Sequence, residues 1–230
     1  MANWLNTAFG GFDHALMQAV HSFTVATQGV LTPLVRLLTA PGNGGLGFIL
    51  LCLVLLFFCK TRRCGAAMST AAVVGALITN VLLKPLVARP RPYTTEVLRE
   101  WWLFVGGFAE SDLSFPSGHA TMAAAVMVAL FLSTNKKYSW PALIYPIVMA
   151  FTRIYLMVHY PTDVIAGLLA GTLGALVGVF LIRRLFAYLE ARRNRGWCRI
   201  LLECDPVPYL WHRLFKGGRS AGDDNADTER

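Results

Sequence analysis

"VIAGLLAGTLGALVGVFLIRR", residues 164–184, carries no charge for nineteen positions and then closes on two arginines. A helix needs about 20 residues to cross a hydrocarbon layer about 30 Å thick, and basic residues gather where such a helix returns to water. The stretch reads as a membrane span, 162–184. Its glycines fall in two pairs, Gly167 with Gly171 and Gly174 with Gly178. A spacing of four puts small residues on one helix face, where a neighbouring helix can approach closely.

Outward from this segment, four more apolar runs have the same character: 44–59, 65–83, 118–133 and 140–158. The 230 residues are 55% hydrophobic and 15% charged, against about 25% charge in soluble domains. This composition predicts an all-α, polytopic membrane bundle of about six helices: five clear spans, preceded by amphipathic helices. Segment 15–38 mixes Gln18, His21, Thr24, Gln28 and Arg36 with apolar residues and is broken near Gly29 to Pro33. It reads as two amphipathic helices at the interface, with a true span as the alternative. The organisation expected is an interfacial segment 1–40, a membrane-embedded domain 41–185 and a basic cytoplasmic tail 186–230, polar and disordered over 216–230.

The net charge of +8 raises nucleic-acid binding as a first thought. The lysines and arginines sit at the ends of apolar runs and in the tail, as topology determinants do, so no nucleic-acid partner is expected. Lys60 to Arg63, Asn135 to Lys137, and Arg183 with Arg184 share one side if the spans alternate. The positive-inside rule makes that side cytoplasmic. The five cysteines form no CxxC pair, and the first fourteen residues hold no Lys or Arg. Neither a metal site nor a cleaved signal peptide is expected.

The opposite side collects the polar residues that packing does not explain. "KPLVARPRP", 84–92, holds Lys84 and Arg91 at a defined separation on a proline-stiffened exit. "FPSGHATMAAAV", 115–126, opens a span on a polar turn. Ser117 suits an N-cap, with Gly118 and His119 in the first turn, where free N–H groups favour an anion. "TRIYLMVHYPTDV", 152–164, places Arg153 within an apolar helix, an expensive position that marks a functional site. His159 follows, and Asp163 in the next helix is within reach to orient its ring.

Two histidines, one aspartate, several fixed cations and a helix N-terminus suit phosphoryl transfer, with one histidine attacking and another protonating the leaving oxygen. A metal phosphatase would want clustered carboxylates. Glu96, Glu100, Glu110 and Asp112 on this side look scattered and unpaired with histidines, so a site with no metal and no cofactor is expected. A flippase or lipid-binding protein would use the cations without needing paired histidines.

The order Lys84, six residues, Arg91-Pro92; then Pro116-Ser117-Gly118-His119; then Arg153, five residues, His159, three residues, Asp163 resembles the three-part signature of the type 2 phosphatidic acid phosphatase superfamily. That superfamily includes bacterial lipid phosphatases and vanadium haloperoxidases, the latter largely soluble. The resemblance covers about residues 40–185. Thr152 stands where the family often has serine, and a hydroxyl is kept. The family spacing selects Arg91 over Arg89 as phosphate ligand. What the resemblance implies is a six-helix bundle and a phosphohistidine mechanism. His159 would attack phosphorus, oriented by Asp163. His119 would protonate the leaving group and then activate water, and Lys84, Arg91, Ser117, Gly118 and Arg153 would bind phosphate oxygens. The chain resembles short bacterial members acting on undecaprenyl diphosphate, with phosphatidate and phosphatidylglycerophosphate as alternatives. The partners expected are a membrane lipid substrate and the bilayer, at the cell membrane with the site on the extracytoplasmic side. The oligomeric state is left open.

Overall fold

The computed structural model describes residues 1–203, and all regular structure in them is helical. The disorder expected of 216–230 lies outside the described residues. Helix α1 (Ala2–Ala26) stops where Gln28 and Gly29 turn to positive φ. Helix α2 (Thr32–Thr39) then starts with Pro33 in its first turn, where a missing N–H costs nothing. A 3₁₀ turn (Ala40–Gly45) joins it to α3 (Leu46–Phe57). Thr32–Phe57 is one of three stretches among the described residues long and apolar enough to cross a membrane. The apolar stretch thus begins at Thr32, ahead of the start at 44 expected from hydropathy, because α2 leads into α3 through the 3₁₀ turn, with a kink where Asn43 and Gly44 leave the helical φ/ψ region.

The second long stretch holds α4 (Cys59–Ala76), a π-helical segment (Leu77–Leu83) and α5 (Lys84–Val87). The widening has a cause in the sequence. Pro85 lacks an N–H, and its ring would strike the carbonyl four residues back. The chain opens instead to a five-residue spacing, in which the Lys84 N–H bonds the Thr79 carbonyl. Helix α6 (Glu96–Phe104) comes after a short turn, and a loop leads to α7 (Gly118–Ser133). Then come α8 (Lys136–Ser139), α9 (Ile144–Tyr155), α10 (Pro161–Ala191), which is the third long stretch, and α11 (Gly196–Glu203).

Helices α4, α7 and α10 form the centre, and the glycines of α10 explain how. A Cβ on Gly171 would lie 2.2 Å from the Thr121 carbonyl of α7, and one on Gly174 2.8 Å from the Ala71 carbonyl of α4. The two glycine pairs serve two different neighbours, so three backbones meet around a core of small residues, including Ala71, Ala123, Ala125 and Ala175. On the outside of α10, Leu169, Leu176 and Phe180 are exposed. They make the apolar surface that a bilayer covers in a membrane protein. A second cluster packs Met17 of α1, Val35 of α2 and Leu98 of α6 against Tyr155 to Val158. It holds the α9–α10 turn, where Met157 adopts a left-handed φ of 55° that only close packing sustains in a side chain of this kind.

Candidate active site

The eight residues singled out by sequence come from six places in the chain and converge at one end of the bundle. Lys84 stands at the head of α5, Arg91 in the extended exit after it, Ser117 to His119 at the start of α7, and Arg153 near the end of α9. His159 sits in the α9–α10 turn, and Asp163 in the first turn of α10. The Ser117 N–H donates to the Asp163 carbonyl at 3.0 Å, which staples the heads of α7 and α10 together. A cavity of about 770 Å³ opens beside them, with Lys84, Arg91, His119 and His159 on its polar wall and Ile49, Ala76 and Met122 on its apolar one.

The His159 ring is buried and bonded at both nitrogens. Nδ1 lies 2.8 Å from the Ser114 carbonyl oxygen, which accepts only, so the proton is on Nδ1. Nε2 then carries the lone pair and receives a hydrogen bond from Arg91 Nη1 at 3.1 Å. The direct contact expected between His159 and Asp163 is longer, 3.8 Å from Nδ1 to Oδ2. Asp163 reaches the ring through Ser114, whose hydroxyl donates to Oδ2 at 2.5 Å while its carbonyl holds Nδ1. Sequence reading missed Ser114. It precedes Phe115 in a loop and has no spacing that marks it.

The scattered carboxylates are the main correction. Glu110 and Asp112 fold back into the cationic cluster, Glu110 pairing with Arg153 and with Arg91 (2.7 Å), Asp112 with Lys84 and Arg91. Glu110 also comes within 3.7 Å of His159 Nε2 and 4.0 Å of His119 Nδ1. The loop is returned by local bonds: the Tyr93 hydroxyl donates to the Glu110 carbonyl at 2.9 Å, and the Ser114 N–H donates to the Arg89 carbonyl at 2.9 Å. Burial works to raise the Glu110 carboxyl, but the Arg153 and Arg91 guanidiniums overcome it and hold the group well below the usual carboxylate range. Burial opposes ionisation of Asp112 too, and Lys84 and Arg91 again win and lower it. Three cations thus face two carboxylates, the charge balance that a phosphate dianion would restore. Among the described residues, no group of three or more His, Cys, Asp or Glu is placed to hold a metal ion.

Two polar atoms at the site are buried without a partner, Ser117 Oγ and Arg153 Nε. Burying such groups costs about 1–3 kcal/mol each unless a ligand bonds them. The other side of Arg153 is held by Thr39, whose hydroxyl accepts from Nη1 at 2.9 Å. His119 is held from the first long stretch: its Nε2 lies 3.1 Å from the Asn43 amide oxygen. The close approach needs Gly42, where a Cβ would sit 2.4 Å from the imidazole. Trp102 stacks on Tyr93 (4.7 Å between centroids) and its Nε1 donates to the Phe108 carbonyl at 2.9 Å, fixing the start of the returning loop.

A family model described as the PAP2 superfamily matches residues 64–187, which contain all eight of these positions. The chain belongs to the PAP2 superfamily. It is a phosphatase, and it is similar to lipid phosphatases of several kinds. The undecaprenyl-diphosphatase BcrC of Bacillus subtilis is 28% identical over 76% of this chain and 82% of that protein. The decaprenylphosphoryl-5-phosphoribose phosphatase of Mycobacterium tuberculosis is 35% identical over 71% and 87%. A crystal structure of the transmembrane PAP2-type phosphatidylglycerolphosphate phosphatase of B. subtilis superposes with a TM-score of 0.52 at 27% identity. It covers 74% of this chain and 86% of that one. Within the PAP2 frame the role of Arg89 needs a separate account. It lies apart from the cation cluster, buried against Asp163, Asp13 of α1, Asn6 and Thr162. A signal for this existed: Asp13 falls in the same helical register as the buried Met17 and Thr24, where a carboxylate has to find a partner.

Proposed function

We propose that this PAP2 phosphatase hydrolyses a membrane lipid phosphate or diphosphate, undecaprenyl diphosphate by preference, through a phosphohistidine on His159. The observation that carries the reading is the His159 ring. With Nδ1 fixed on the Ser114 carbonyl, the Nε2 lone pair is turned towards the Arg91 guanidinium and the cavity. Phosphate oxygens would replace the Glu110 and Asp112 carboxylates on Lys84, Arg91 and Arg153. The unpartnered Ser117 Oγ and Arg153 Nε would bind them further, and Gly118 leaves room beside Lys84 Nζ.

Nε2 then attacks phosphorus as the bond to the leaving oxygen breaks, and His119 gives that oxygen a proton. His119 next takes a proton from water, whose oxygen attacks the phosphohistidine, releasing inorganic phosphate and restoring Nε2. Among the described residues no carboxylate cluster is placed to hold a metal, and in this reading the cations and backbone supply the charge stabilisation. Undecaprenyl diphosphate is favoured by the resemblance to BcrC and by a cavity larger than one phosphate requires, with an apolar wall at Ile49 and Met122 for the first carbons of a lipid. The site faces away from the cytoplasm, because Lys60 to Arg63, Lys136, Lys137, Arg183 and Arg184 flank the opposite ends of the spans.

The test is phosphate release by the purified protein in detergent with excess chelator. Substrates are undecaprenyl diphosphate, phosphatidate and phosphatidylglycerophosphate. The highest kcat/KM is expected for the first, unchanged by chelator. Preference for either glycerolipid overturns the substrate assignment, and loss on chelation restored by magnesium overturns the metal-free chemistry. In intact cells a cysteine placed at position 109, on a cysteine-free background, should react with an impermeant thiol reagent. Protection there reverses the orientation.

A further inference from the structure

Arg89 is the hub of a charge network that links the first helix of the chain to the nucleophile. Its Nη1 donates to Asp163 Oδ1 at 2.7 Å and to Thr162 Oγ1 at 2.8 Å. Its Nη2 donates to Asp13 Oδ2 at 2.7 Å, and its Nε to Asn6 Oδ1 at 2.9 Å. Tyr160 covers the guanidinium face, with the ring centroid 3.8 Å from Cζ. Asp13 is then closed by the Thr162 N–H at 2.9 Å and the Thr162 hydroxyl at 2.7 Å. Arg89, Asp13 and Asp163 are each at most 1% exposed. Every lone pair and proton turned towards another member of the group is used.

Buried charges of this kind are seldom retained for stability alone, because a well-packed apolar set of the same volume often does as well. What the network fixes is direction. Asp163 has Oδ1 on Arg89 and Oδ2 on the Ser114 hydroxyl and the Tyr160 N–H, so its plane is set from both sides. Ser114 in turn holds His159 Nδ1. We infer that Asp13 and Arg89 are positioning residues for the His159 nucleophile, so that α1, outside the 64–187 match to PAP2, is a working part of the active site. The inference rests on the proposed role of His159. Neither residue touches the cavity, so their work is to hold the ring in its attacking orientation through Asp163 and Ser114.

The experiment compares three single variants of the full chain in detergent. Asp13→Asn keeps shape and removes charge. Thr162→Val removes only the bridging hydroxyl and leaves the ion pairs to hold the fold. Leu5→Ala loosens the packing of α1 without entering the network. Phosphate release per folded molecule is measured as kcat and KM separately. Outer partners that orient a metal-ligating histidine are typically worth about tenfold to a hundredfold in activity, and a loss of that order is expected for a nucleophile held in the same indirect way. For Asp13→Asn that loss is expected in kcat, with KM within about twofold since no phosphate contact is changed. For Thr162→Val a smaller loss in the same sense is expected, and Leu5→Ala should keep its kcat. Unchanged kcat in the folded Asp13→Asn protein overturns the inference; if that variant does not fold, unchanged kcat in Thr162→Val does so. A fall in Leu5→Ala equal to that of the network variants also overturns it, since loosening α1 would then suffice. His159→Ala, run alongside, separates the levels: if it still turns over, the nucleophile assignment fails instead.

Discussion

Arg89 and Arg91 are two residues apart and belong to different kinds of electrostatics. Arg91 sits in the cavity, paired with carboxylates of a returning loop, and the side chain of Asp112 is 52% exposed. Arg89 sits in the protein interior, with partners at most 1% exposed on α1 and α10. The first set of ion pairs can be exchanged, because water and a phosphate can take the place of each carboxylate. The second is locked, because neither partner has anywhere else to go. A proline-spaced exit reading Arg-Pro-Arg-Pro turns successive arginines to these two environments, and His159 lies on the seam, Nε2 facing the exchangeable set and Nδ1 the locked one.

The largest effect should come from the seam. His159→Ala is expected to abolish turnover and any trapped phosphoenzyme, since no other group forms the covalent bond. His119→Ala touches only the exchangeable side and should lose about 100- to 10,000-fold, the usual worth of general acid–base catalysis. Substrates with increasingly acidic leaving groups should recover activity in His119→Ala and not in His159→Ala. Recovery in the opposite pattern would exchange the two roles.

Next in size is the cost of breaking each set. Arg89→Met leaves Asp13 and Asp163 buried and unpaired, which is worth about 3–5 kcal/mol of stability. Lys84→Met leaves Asp112 half-exposed to water and still paired with Arg91, and a loss below about 1 kcal/mol is expected. Denaturation of the two variants in the same detergent compares them. Equal losses would erase the distinction between locked and exchangeable pairs.

Legibility in the sequence divides along the same line. Lys84, Arg91, Ser117, His119, Arg153, His159 and Asp163 stand out because each is polar at the end of, or inside, an apolar run, with Gly118 between two of them, and their spacing along the chain is short within each of three motifs. The helical bundle is legible for the same reason, apart from the junction at Thr32, where a polar register hides a stretch that reaches α3 through the kinked turn at Ala40–Gly45. Glu110 and Asp112 are not legible, because their place depends on how loop 105–117 returns, fixed by Tyr93 and Ser114. The pairing of Asp13 with Arg89 spans 76 residues of sequence, and no local pattern reports a contact at that distance.

The smallest predicted effect concerns the exchangeable carboxylates themselves. Glu110→Gln removes a competitor of the phosphate and should lower KM severalfold with little change in kcat. Its carboxyl is held below its ordinary range, so the charge is complete above about pH 4.5 and persists as pH falls further. The KM advantage of the variant should therefore be constant from about pH 5 to 8. An advantage that vanishes towards pH 5 would mean that Glu110 already takes up a proton there.

The π-helical segment, Leu77–Leu83, has a consequence for how this chain can change over generations. Each residue added to or removed from an α-helix rotates the remainder of that helix by about 100°. A deletion of one codon between 77 and 83 would remove the residue that the five-residue spacing takes up and press the Pro85 ring onto the carbonyl four residues back, while the apolar character of the span stayed the same. Substitutions there are cheap and changes of length are not. The heritable quantity in that stretch is a count of residues.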